Sequence, residues 1–196
     1  MKKMKKQIIS VIAMIVTSVI VFSAQTIAYF TDGNDSNPII TMVGANLSGE
    51  LIETTISAQG EEPVLGPTDV RIVPGTTIQK TVVVRNTGDM GMYLRVKVDR
   101  EFDLSHENEG KPTDPTLVAF NVNETYWEEL DGFYYYKSAL LSGEITEPLF
   151  TEVTFSPQMD NTYTNSTVTF RIRAYATQFS GNGTSVFDAQ GWPDEQ

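Results

Sequence analysis

Past its first 28 residues the sequence predicts an all-β fold, a single antiparallel β-sandwich of jelly-roll type over residues 39–196. Three observations carry this. Apolar and polar residues alternate over short runs, the period of a half-buried strand. Turn formers such as Pro74-Gly75, Asn86-Thr87-Gly88-Asp89 and Asp131-Gly132 separate the runs. No long stretch after residue 28 keeps a helical period.

Taken in order, residues 39–43 and 46–57 read as extended, with Leu47, Gly49 and Leu51 alternating with polar neighbours. Residues 59–67 contain two prolines and two glycines and read as a loop. After Pro74-Gly75, Ile78, Val82 and Val84 share one face, and Gln79, Thr81 and Arg85 the other. Beyond the next turn Leu94, Val96 and Val98 alternate with Arg95, Lys97 and Asp99. These two strands are therefore expected as neighbours in one antiparallel sheet. Residues 102–115 form a polar loop and 117–122 a further strand. Residues 126–130 and 133–137 are aromatic strands around Asp131-Gly132, the strongest short-range hairpin signal. Residues 149–155 follow. The last long strand alternates Val168, Phe170, Ile172, Ala174 and Ala176 with Thr169, Arg171, Arg173, Tyr175 and Thr177.

The first 28 residues have a different logic. Lys2, Lys3, Lys5 and Lys6 precede an uncharged, mostly apolar run over residues 8–22, and Ser23, Ala24, Gln25, Thr26, Ile27 and Ala28 follow. That is the three-part layout of a secretory signal peptide, with cleavage expected between Ala28 and Tyr29. An uncleaved anchor is the other reading, because no charge appears between Lys6 and Asp32. Residues 29–38 are polar and turn-rich and read as a flexible mature N-terminus. The four lysines leave with the leader and no acid does, so the net charge of −11 becomes −15 in the mature chain. So acidic a surface argues against nucleic acid and against docking on anionic lipid, leaving the membrane a partner during export only. With no cysteine, a disulfide scaffold is excluded.

Catalytic and cofactor signatures are missing. His106 is the single histidine and lies in a polar loop beside Glu107 and Glu109, where a solvent-exposed side chain is expected. A zinc hydrolase needs about three protein ligands, often two of them histidine. Neither a His-Glu-x-x-His helix nor a Gly-x-Ser-x-Gly elbow occurs. Catalytic, metal-ligating and cofactor-binding residues are therefore expected to be none. Calcium is a weak candidate at Asp32, Asp35 and Asn37, where the twelve-position loop pattern is not met. Asp99, Glu101, Asp103, Glu107 and Glu109 form an equally weak acidic group. In the aromatic hairpin, alternation sets Phe133 and Tyr135 on one face and Tyr134 and Tyr136 on the other. One face is expected in the core and the other, Tyr134 with Tyr136, as a surface patch for a sugar or a partner.

Several segments, in order along nearly the whole chain, resemble a known group. These are Ala28-Tyr29-Phe30-Thr31-Asp32 followed by Asn37 and Thr41-Met42-Val43-Gly44; Val73-Pro74-Gly75 with Asn86-Thr87-Gly88-Asp89 and Tyr93-Leu94-Arg95-Val96-Lys97-Val98; Asp131-Gly132-Phe133-Tyr134-Tyr135-Tyr136-Lys137 with Ser142-Gly143-Glu144 and Pro148-Leu149-Phe150; and Arg173-Ala174-Tyr175-Ala176-Thr177-Gln178. Together they are similar to the TasA/camelysin (CalY)-like family of exported Gram-positive proteins processed by a SipW-type signal peptidase. The resemblance implies a secreted jelly-roll subunit or accessory of extracellular matrix (biofilm) fibres. Its partners would be itself or related matrix proteins, with signal peptidase acting during export. The resemblance also implies assembly by strand addition of the mature N-terminal segment, here Tyr29, Phe30, Ile39, Ile40 and Val43. Pro38 has no N–H and must lie at an edge or outside the ladder. Camelysin has been classed as a metallopeptidase, but no metal motif here carries that activity over. The competing readings are a monomeric cell-surface binding module that uses the aromatic hairpin and, behind it, a camelysin-type metallopeptidase.

Overall fold

The computed structural model describes residues 39–43, 47–56, 64–65 and 69–195. These belong to one compact unit, Ser36–Gln196. The leader, the Ala28–Tyr29 junction, residues 29–38 with Tyr29 and Phe30, and the Asp32, Asp35 and Asn37 group lie outside the described residues.

The alternating runs become strands stacked as two sheets. Strands β1 (Ile39–Val43), β4 (Asp69–Arg71), β6 (Met92–Asp103), β8 (Trp127–Leu130), β9 (Phe133–Tyr136) and β11 (Thr167–Gln178) form the first. Its order is β1-β11-β6-β9-β8, with β4 pairing the start of β11 on the same side as β1. Strands β2 (Gly49–Ile56), β3 (Val64–Leu65), β5 (Thr77–Asn86), β7 (Val118–Phe120) and β10 (Glu152–Phe155) form the second, in the order β3-β2-β5-β10-β7. All pairings are antiparallel except β1 on β11. Helical structure among the described residues is limited to 3-10 turns at Pro115–Leu117 and Asn161–Tyr163.

Period-two alternation builds the core. Ile78, Val82 and Val84 of β5 face Leu94, Val96 and Val98 of β6 and Phe170, Ile172, Ala174 and Ala176 of β11 in one apolar cluster. At roughly 25 cal/mol per Å² of apolar surface buried, this layer is the main stabilising term. The longest ladder is β6 with β11, in register from Met92↔Gln178 to Asp103↔Thr167.

Two expectations are corrected. Strands β5 and β6 are not neighbours in one sheet; they lie in opposite sheets. Each has one mainly apolar face, interrupted in β5 by the buried Lys80, and folding those faces against each other buries both. Asn86, wholly buried, holds the crossing: its Nδ2 donates to the carbonyls of Met90 (2.8 Å) and Leu140 (2.9 Å), and its Oδ1 accepts from Gly88 N–H (3.0 Å). These bonds satisfy the side chain inside the turn, where an unmade bond would be expensive. Within the expected loop 59–67, Val64–Leu65 instead pairs with Thr54 and Thr55 as the edge strand β3.

The expected hairpin is present. Asp131 (φ 53°) and Gly132 (φ 78°) both take the left-handed conformation that a two-residue type I′ turn requires. They pair Leu130 with Phe133 and Trp127 with Tyr136.

Candidate functional site

Of the residues expected in an assembly strand, Ile39, Ile40 and Val43 lie in β1, which pairs with Arg173–Thr177 of β11 in parallel. Strand β1 is the end of its sheet among the described residues. The ladder starts at Ile39, directly after Pro38 in sequence, so the residue without an N–H precedes the paired run. Strand β2, which follows, lies in the other sheet, and residues 44–48 link the two strands in sequence.

The outer face of β6 and β11 carries an ion-pair ladder. The Arg171 guanidinium donates through Nε and Nη2 to Glu101, both at 2.7 Å, and holds that carboxyl below its usual range. Arg173 pairs with Asp99, and Lys97 with Glu195. Asp99 and Glu101 are thus committed to cations. Arg95 instead lies 4.0 Å from the Phe133 ring centroid and 4.8 Å from that of Trp192.

Trp192 belongs to a C-terminal strap, residues 179–195, that covers this face. Val186 and Ala189 pack on Tyr93, Phe133, Tyr135 and Tyr175 as a second apolar cluster. Asn182 clasps the strap: its Nδ2 reaches Thr177 Oγ1 (3.2 Å) and the carbonyls of Gln178 and Gln190 (both 2.9 Å), and its Oδ1 accepts from Gln190 N–H (2.8 Å). The strap is why Tyr175 is buried on the nominally outer face.

The surface-patch expectation is corrected at Tyr136. The strap covers Phe133 and Tyr135 and the sandwich buries Tyr136, while Tyr134 packs on the core only in part. Tyr136 is 8% exposed and packs on Trp127 with ring centroids 5.0 Å apart. Tyr134 is half-buried and lines an open cleft of about 470 Å³ with Phe120, Val122, Glu128, Glu129 and Lys137. Burial pushes the Tyr134 phenol up and the Arg100 guanidinium down.

The sequence reading missed a charged pair in the core. Lys80 and Glu53 have no exposed side-chain surface; Lys80 Nζ donates to Glu53 Oε2 at 2.9 Å and to Thr55 Oγ1 at 3.1 Å. Glu53 Oε1 is buried without a hydrogen-bond partner among the described residues. Burial pushes the Glu53 carboxyl above its usual range, more than Lys80 pulls it down. The signal was parity: Glu53 is two residues from Leu51, and Lys80 lies midway between Ile78 and Val82.

His106 is 98% exposed, its Nδ1 3.4 Å from Glu109. Among the described residues no three His, Cys, Asp or Glu side chains are grouped to hold a metal ion. No family model, curated protein or solved structure matches the chain.

Proposed function

We propose that the chain is exported, loses residues 1–28, and serves outside the cell as a subunit or accessory of a matrix fibre. Subunits join when the segment from Tyr29 through Val43 of one chain adds as a strand to β11 of the next. The reading assigns no enzymatic activity. One observation carries it: β1 is a five-residue parallel strand at a sheet edge, continuous with the N-terminal segment that leader removal would free. Main-chain ladder bonds are the same whichever copy supplies the strand, so β1 can be exchanged between chains with little change in bonding. The acidity and the absence of cysteine are compatible with work outside the cell.

The test is sedimentation of purified chains that begin at different residues. Protein beginning at Tyr29 is expected to form large, salt- or pH-dependent polymers. Protein beginning at Gly44, which lacks β1, is expected to stay small. A chain beginning at Tyr29 that remains monomeric across salt and pH refutes the proposal.

A further inference from the structure

At the edge of the sandwich away from β1, the sheets end in β7 and β8 among the described residues, and the cleft beside Tyr134 opens there. Its floor is rigid. Phe120 stacks on Phe150, with centroids 4.4 Å apart and planes within 10°. Arg100 lies 4.2 Å from the Phe120 centroid, so the Phe120 ring is held between Phe150 and the guanidinium. The rim is polar with both signs of charge. Glu128 and Glu129 offer carboxylates, and Lys137 Nζ is held by the Glu124 carbonyl at 2.6 Å. In a two-residue hairpin the residues next to the turn form a hydrogen-bonded pair, and such pairs alternate. That leaves the N–H and C=O of Glu129 pointing away from β9, along an edge with no strand beyond it among the described residues.

We infer that this cleft binds a neutral hexose polymer. Carboxylates and a free carbonyl accept from sugar hydroxyls, while the Lys137 ammonium and the Glu129 N–H donate to hydroxyl and ring oxygens. The Tyr134 ring and Val122 take the C–H side of a pyranose ring, with the edge of Phe120 beside them. Glu124, Glu128 and Glu129 on the lining repel a polyanion, and Lys137 among them opposes a polycation. An added β-strand is disfavoured, since β8 is four residues long and carries adjacent glutamates, a pattern that blunts sheet edges. Phe120 is already clamped, so ordering the site on binding loses little conformational freedom there. The site is distant in topology from β1 and does not depend on fibre formation.

The test uses the mature chain beginning at Tyr29 on an array of neutral, amino and acidic oligosaccharides, followed by calorimetric titration of the best neutral ligand. Neutral hexose oligomers are expected to be retained. Glu129→Gln and Tyr134→Ala are each expected to weaken binding about tenfold or more. Phe187→Ala, at an exposed ring on the strap, is expected to leave affinity unchanged. Circular dichroism and a urea midpoint establish that each variant is folded. Tyr134→Phe is the conservative check if Tyr134→Ala unfolds, because it keeps the ring and removes the hydroxyl. No retained neutral oligosaccharide, a preference for amino or acidic sugars, or unchanged binding in the folded variants overturns the assignment. Sedimentation of the same variants is expected to match the parent, which separates failure of this site from failure of the assembly reading.

Discussion

Replacing Lys80 by methionine removes one half of a charged pair that has no contact with water. The Glu53 carboxylate loses the donor to its Oε2, and its Oε1 already lacks a partner among the described residues. Breaking a buried pair on one side costs about 3–5 kcal/mol, a large part of the roughly 5–15 kcal/mol that holds a domain folded. With a urea slope of about 2 kcal/mol per molar, the midpoint should fall by roughly 2 M. The double variant Lys80→Met with Glu53→Leu should instead match the parent or exceed it by about 1–4 kcal/mol, since it removes both desolvation penalties. A pH dependence follows. Burial raises the folded-state pKa of Glu53, so the folded chain holds that proton more tightly than the unfolded one. The Glu53 contribution is fully present below the unfolded pKa and is lost as pH rises through the folded value. Deleting Lys80 removes the charge that pulls the folded pKa down and raises it further. The Lys80→Met deficit should therefore be largest at about pH 8 and shrink toward about pH 4. Urea melts at both pH values decide it. A deficit under about 1 kcal/mol at neutral pH, or one that does not change with pH, refutes the argument that the pair is desolvated.

Three further outcomes are expected. Asn182→Ala should cost about 1–3 kcal/mol and should speed amide exchange and proteolysis within residues 179–190, because four clasp bonds go at once. Gly183→Ala should destabilise the strap by about 1–3 kcal/mol in a urea melt, since φ is +81° and a Cβ would stand 3.1 Å from the Asp188 carbonyl carbon. Arg171→Ala should leave the urea midpoint unchanged within error, because both Arg171 and Glu101 are more than half exposed and solvent screens the pair.

Much of the fold was legible because its strands obey a strict period of two. Ile78, Val82 and Val84, then Leu94, Val96 and Val98, then the β11 run all face inward as alternation requires. The Asp131-Gly132 turn was legible because few residues tolerate two consecutive left-handed conformations. Which sheet each strand joins was not legible, since an arch between sheets and a hairpin within one use the same turn residues; the buried Asn86 side chain decides between them at β5 and β6. Residue type hid Lys80 and Glu53, whose positions were inward but whose charge reads as outward. The strap was invisible because residues 179–195 have no period, and its covering of Phe133 and Tyr135 upset the simple inside–outside reading of the hairpin. The cleft draws Phe120 and Glu129 from segments that only the tertiary fold brings together.

The central claim is that β1 of one chain can occupy β11 of another. The protein has no cysteine of its own, so two single variants give a clean measurement: Ile39→Cys in one preparation and Arg173→Cys in the other. The two positions are Cα partners in the ladder, where disulfide-bonded residues typically stand about 4.4–6.8 Å apart at Cα. Mixed as mature chains under assembling conditions and then oxidised, they should yield a disulfide joining Ile39→Cys of one chain to Arg173→Cys of the other, identified by mass spectrometry of the linked peptides. Assembly that proceeds with no such cross-chain disulfide, while a chain carrying both substitutions closes its own disulfide, would contradict the account.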